Sequence, residues 1–177
     1  GEFTDPYYEF IDQGYEVTLA SPKGGEPPVD PMSKMTENIT GSNRRFQDDT
    51  VAQQKFHNTL RLEEVDITQF DGLFFPGGHG PIWDLASNET SGRMILDFLN
   101  ANKPVAAVCH GPAGLNKGAE LQPGFLKGKK ISGFTNTEEA MAFRSDNVPY
   151  KLETKLKELG ADFHSALIPY TVHTEED

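Results

Sequence analysis

Two short apolar runs that stop on glycine-rich turns constrain this chain more than any other feature. Phe70–Phe75 (FDGLFF) ends at PGGHG, and Pro104–Val108 (PVAAV) ends at Cys109, His110 and Gly111. Both have strand length and fall far short of the roughly 20 apolar residues of a membrane-spanning helix. Strands that are near-continuous apolar runs are covered on both faces, as in parallel sheets. The segments between them read as helices. Pro6–Gly14 is closed by its glycine, Thr90–Ala101 sets Met94, Ile95, Phe98 and Leu99 on one side, and Val148–Gly160 sets Leu152, Leu156 and Leu159 on one face. Gly111–Asn116 opens another helix. Tyr15–Ala20, Lys129–Phe134 and the start of Ala161–Tyr170 read as further strands.

Strands alternating with helices predict an α/β fold, a mostly parallel sheet with helices on both faces. The 177 residues suffice for one domain with its own core. Pro27–Arg61 is polar and reads as an insertion beside the sheet, with helical spacing through Val51, Phe56 and Leu60 in its later part. The net charge of −11, from 16 basic and 27 acidic residues, argues against a phosphate-backbone partner. No membrane partner is expected. The single cysteine excludes an intramolecular disulfide and a multi-thiolate metal centre, and it suits a reducing, cytoplasmic setting.

In an open parallel sheet, sites form beyond the carboxyl ends of the strands. Around Cys109 the order A-V-C-H-G places small residues, Ala107 and Gly111, two before and two after the cysteine, as in a nucleophile elbow. Such a turn lifts the side chain clear of the sheet and sets it near a helix N-terminus, which favours a thiolate. His110 is a ready proton carrier. The other reading is a small buried cysteine at a strand end. PGGHG offers backbone amides that suit an oxyanion if the two strands are neighbours, or is simply a tight loop. His79 in that loop lines a pocket or makes a loop contact.

Among His57, His79, His110, His164 and His173 no pair stands four apart, so no metal site and no metal cofactor is expected. His173-Thr174-Glu175 has the H-x-E form of a glutaminase triad but lies in a polar segment. Trp83 and Phe143 are aromatic residues that wall a pocket or belong to the core.

FFPGGHGPIWDL followed by PVAAVCHGPAGL resembles the PfpI-type superfamily, relatives of class I glutamine amidotransferases. ASPKGGEPPVDP and KKISGFTNTEE point to its heat-shock chaperone and glyoxalase III branch. The resemblance implies a three-layer, flavodoxin-like sandwich and a cofactor-free glyoxalase converting methylglyoxal to lactate. A cysteine peptidase or amidase and a holding chaperone are the other activities it implies. Cys109 would be the nucleophile, His110 its partner, and the amides of Gly78 and His110 the oxyanion donors. Glu2, four residues before Pro6, would reach the thiol. Glu139, or else Glu138, would be the acid that orients the histidine. Relatives often dimerise. They also carry an apolar strand upstream of the position of Glu2 and a further strand and helix beyond the position of Asp177.

Overall fold

The computed structural model describes residues 1–31, 39–142 and 145–165. Two compact units emerge, Gly1–Asp66 and Ile67–Asp177.

The first unit begins with helix α1 (Thr4–Asp12), which carries Pro6 in its first turn and is followed by Gly14 at φ 87°. Strand β1 is Ala20–Ser21. Helices α2 (Gly41–Asp48) and α3 (Thr50–His57) lead to strand β2 (Leu60–Arg61), which runs parallel to β1. Tyr7, Tyr8 and Ala52 form the buried centre, with Phe3, Ile11, Val17, Leu19 and Phe46 packed against them. Residues 39–61 of the expected insertion therefore carry two helices and a strand.

Two expectations for this unit need correction. The strand expected over Tyr15–Ala20 pairs only at Ala20–Ser21, because its partner β2 is two residues long. The helix expected through Val51, Phe56 and Leu60 is interrupted at both ends. The Asp49 side chain accepts the Ala52 amide at 3.0 Å and starts α3 afresh. Thr59 exchanges backbone hydrogen bonds with Gly25, which pulls Leu60 into β2. Val51 is consequently 60% exposed and Ala52 is the buried residue.

The second unit runs from strand β3 (Leu73–Phe75) through α4 (Gly80–Trp83) and α5 (Glu89–Asn100) to strand β4 (Val105–Ala107). A 3₁₀ turn (Gly111–Gly114) leads into α6 (Leu115–Leu121). Strand β5 (Lys130–Ile131), helices α7 (Asn136–Met141) and α8 (Leu152–Glu158) and strand β6 (Asp162–Phe163) complete it. β3 pairs parallel with β4 in the register Leu73–Val105, Phe74–Ala106, Phe75–Ala107, and β5 pairs parallel with β6. All three ladders of the described residues are parallel, and helices separate the paired strands, so the fold is α/β.

The core of this unit gathers Ile82, Ala113, Ala119, Leu126, Leu152 and Leu156, with Ile131, Phe134 and Tyr150 packed on it. The expected apolar face of α5 is buried at Met94, Ile95 and Phe98. Gly92 of α5 lets α6 approach closely: a Cβ there would stand 2.9 Å from the Lys117 side chain.

Three differences from expectation have local causes. α8 starts at Leu152, not Val148, because Val148 precedes Pro149 and a residue before proline avoids the helical region. β4 is half-buried at Val105 and Ala107 and exposed at Ala106, since among the described residues β3 alone pairs with it. Of the expected strand Ala161–Tyr170, β6 is the paired part, and 166–170 lie outside the described residues. No helix among the described residues is long and apolar enough to cross a membrane.

Candidate active site

The β3–β4 ladder sets the two glycine turns side by side. It continues one step past the strands, where the Val108 amide donates to the Phe75 carbonyl at 3.2 Å. The chain then turns sharply, and the Gly111 amide donates back to the Val108 carbonyl at 2.7 Å. Gly111 passes so close to β3 that an added Cβ would lie 2.6 Å from the Phe75 carbonyl oxygen. Only glycine fits there.

At the apex, Cys109 adopts φ 57°, a left-handed conformation that is uncommon outside glycine. Surrounding bonds hold this strain in place. The Cys109 carbonyl accepts the Phe134 amide at 2.8 Å, and the His110 carbonyl accepts the Ala113 amide at 3.0 Å. Cys109 is partly exposed.

The Cys109 Sγ lies 3.4 Å from Nδ1 of His110. The His110 side chain is 0% exposed and packs against two rings, His79 at 4.1 Å and Phe134 at 4.3 Å between centroids, and those two rings also meet at 6.1 Å. Its Nε2 is 2.6 Å from Oε2 of Glu139, and Nε2 of His79 is 2.9 Å from Oε1 of the same carboxylate. The Glu139 side chain is 3% exposed and that of His79 is 20% exposed. Burial by itself would raise the Glu139 pKa. The hydrogen bonds from His110 and His79 outweigh it and hold the carboxyl below its ordinary 4.5. An ionised carboxylate only accepts, so both Nε2 atoms donate, and Nδ1 of a neutral His110 is left as an acceptor facing the thiol.

The placement of Glu139 follows from how α7 begins. Thr135 caps the helix: its Oγ1 accepts the Glu138 amide at 3.1 Å, and the Glu138 carboxylate accepts the Thr135 amide at 2.8 Å. This capping box fixes Glu138 at the helix start. The next residue, Glu139, points to the histidines.

A depressed pKa in the folded state means that Glu139 stabilises the fold above its ordinary pKa and ceases to do so as pH falls through the folded value. The wild-type protein is therefore expected to exceed Glu139→Gln in stability near neutrality. That margin should shrink as pH drops below 4.5. Urea midpoints of both proteins across an acidic series check this, and a margin that stays constant into acid contradicts it.

The second unit thus brings Cys109, His110 and Glu139 together. Gly78 lies in the neighbouring turn at φ 83°, a conformation that suits glycine. Glu138 serves the helix cap. Glu2 belongs to the first unit, as an exposed turn residue just before α1. Trp83 ends α4 and is 51% exposed, so it is no core residue. Phe143 and His173-Thr174-Glu175 lie outside the described residues.

His79, His110 and Glu139 also present three donor atoms within 4.8 Å of one another, a two-histidine, one-carboxylate set of the kind that can hold a transition metal. The expectation of no such group rested on spacing along the chain, which cannot reveal residues joined by tertiary packing. Both histidine N–H groups are hydrogen-bonded to the carboxylate, so the three side chains satisfy one another without an ion. Sequence reasoning missed this bond of His79 for the same reason. For Glu139, the T-x-x-E cap at Thr135–Glu138 is a local signal that separates it from Glu138.

The chain resembles proteins of known identity. Glyoxalase 3 of Candida albicans is 29% identical over 143 residues, which cover 78% of this chain and 60% of that protein. Protein/nucleic acid deglycase 2 of Escherichia coli is 28% identical over 131 residues, covering 74% of this chain and 62% of that one. The chain thus spans less than two thirds of these relatives. The crystal structure of the Francisella tularensis Rapid Encystment Protein 24 KDa is 34% identical, covers 99% of this chain and 77% of that one, and superposes with a TM-score of 0.89. A match to the DJ-1/PfpI family covers residues 1–155. With its parallel α/β fold and its strand-end cysteine and histidine, this chain belongs to the DJ-1/PfpI family.

Proposed function

We propose that this chain is a cofactor-independent glyoxalase that converts methylglyoxal to lactate. The observation that carries this reading is the line from Cys109 Sγ to His110 Nδ1 at 3.4 Å and from His110 Nε2 to Glu139 Oε2 at 2.6 Å. The likeness to a glyoxalase supports it.

Cys109 gives up its proton to His110, and the imidazolium is stabilised by Glu139. The thiolate sulfur adds to the aldehyde carbon, and the resulting alkoxide takes a proton to give a hemithioacetal. A base removes the hydrogen on that carbon, leaving an enediol. The resemblance nominates Glu2 for this step, and His110 is the alternative within the second unit. A proton returned to the neighbouring carbon gives a lactoyl thioester on Cys109. Water then cleaves the C–S bond, freeing lactate and the thiol. The net change is methylglyoxal plus water to lactate, so one carbon is oxidised as its neighbour is reduced. Amides at Gly78 and His110 are assigned to the oxyanions of these steps.

Purified protein given methylglyoxal without glutathione is expected to release lactate, with Glu2→Gln slower in turnover. Absence of lactate from the wild-type protein refutes the reading. Full activity in Glu2→Gln moves the base role to His110.

A second reading rests on the same pair. A thiol beside an Nδ1 whose ring is locked through Nε2 also suits amide cleavage, where the imidazolium returns a proton to the leaving amine. Cleavage of a chromogenic peptide amide by the same preparation, with no lactate formed from methylglyoxal, would favour this second activity over the first.

A further inference from the structure

We infer that His79 is a positioning residue for the Cys109–His110 pair, acting through the second oxygen of Glu139. A carboxylate held by one oxygen can swing, because its terminal torsion is broad. Here both oxygens are held, Oε2 by His110 and Oε1 by His79, so the carboxylate plane is fixed. A fixed Oε2 keeps the Nε2–H of His110 pointed at it. That leaves Nδ1 turned to the thiol at 3.4 Å. The chain of side chains therefore has four members, Cys109, His110, Glu139 and His79.

His79 is itself well placed for this work. It follows Gly78, whose left-handed φ of 83° turns the chain into α4. Its carbonyl accepts the Ile82 amide at 3.1 Å, which ties its backbone to that helix. Its ring lies against the His110 ring, tilted by 36°. Two roles are thus physically distinct: the hydrogen bond to Oε1, and the contact of the two rings. The hydrogen bond reaches the carboxylate, whereas the ring contact is shared with Phe134, which lies 4.3 Å from His110 and 6.1 Å from His79 between centroids.

The inference rests on Cys109, His110 and Glu139 being the reacting group, and its test does not depend on the substrate. The rate of Cys109 alkylation by iodoacetamide is followed against pH for the wild type and for His79→Gln, His79→Phe and His79→Ala. Glutamine keeps an N–H for Oε1, and phenylalanine keeps only the ring. Near neutral pH, His79→Ala and His79→Phe are expected to alkylate about tenfold more slowly, the scale of effect of residues that orient a reactive group. His79→Gln should remain within about threefold of the wild type. In a Glu139→Gln background the His79→Ala effect should disappear, since the coupling runs through that carboxylate.

Equal rates in all variants would reduce His79 to a loop contact. Rescue by phenylalanine but not by glutamine would assign the effect to ring packing and overturn the inference. Persistence of the effect in the Glu139→Gln background would do the same. If the wild-type protein yields no lactate while the alkylation series behaves as expected, the glyoxalase reading fails and the positioning role stands.

Discussion

Cys109→Ala is expected to lower the turnover of methylglyoxal by about 10³-fold or more while the fold persists. The loss follows from the covalent step: without sulfur no hemithioacetal forms, and His110 and Glu139 have no nucleophile to activate. The fold persists because alanine keeps the Cβ and removes only the sulfur of a partly exposed residue. The conformation at φ 57° is no easier for alanine than for cysteine. A second variant isolates that strain. Cys109→Gly removes the Cβ that makes the left-handed region unfavourable, and it should be more stable than Cys109→Ala by about 1 kcal/mol. Lactate release by each variant and thermal midpoints of all three provide the check. Appreciable lactate from Cys109→Ala would remove the thiol from the chemistry.

Gly111→Ala is expected to damage both stability and activity. The added methyl would sit 2.6 Å from the Phe75 carbonyl, 3.2 Å from that of Pro76 and 3.3 Å from the Ala107 side chain. Two of these neighbours are backbone and cannot rotate away. Relief requires the turn to lift from β3, which breaks the Val108–Phe75 hydrogen bond. Overpacking of this kind costs about 1–3 kcal/mol. The lifted turn also moves Cys109 away from the PGGHG loop, so turnover falls with the midpoint. By contrast, Gly78→Ala meets no atom within 4 Å and strains only its own backbone. An unchanged midpoint for Gly111→Ala would mean that the turn is looser than its hydrogen bonds imply.

The elbow was legible in the sequence because its chemistry is local. Small residues on either side of Cys109 are what a tight strand-to-helix turn requires, and they stand within five positions. The acid partner was legible only to within two residues. Glu138 and Glu139 are adjacent, and composition does not distinguish them; the cap at Thr135 does. The bond between His79 and Glu139 joins residues 60 positions apart and leaves no periodic trace. In the first unit the apparent spacing of Val51, Phe56 and Leu60 misled, because Asp49 and Thr59 make hydrogen bonds that override it. The strand ends show the same limit. Apolar stretches mark where strands run, but the length that pairs is set by a partner far along the chain, as at β1 and β2.

The capping box of α7 has a consequence for how this site can vary. Neighbouring residues on a helix diverge by about 100° around its axis. Thr135 sets where α7 starts, and so decides which glutamate faces His110 and His79. A one-residue insertion between Thr135 and Glu138 would leave no glutamate three residues after the cap and would turn Glu138 toward the histidines in place of Glu139. Phe134 anchors that segment to the Cys109 carbonyl, so the spacing is measured from Cys109 itself. The meeting of Cys109, His110 and Glu139 is written as a count of residues as much as a choice of them.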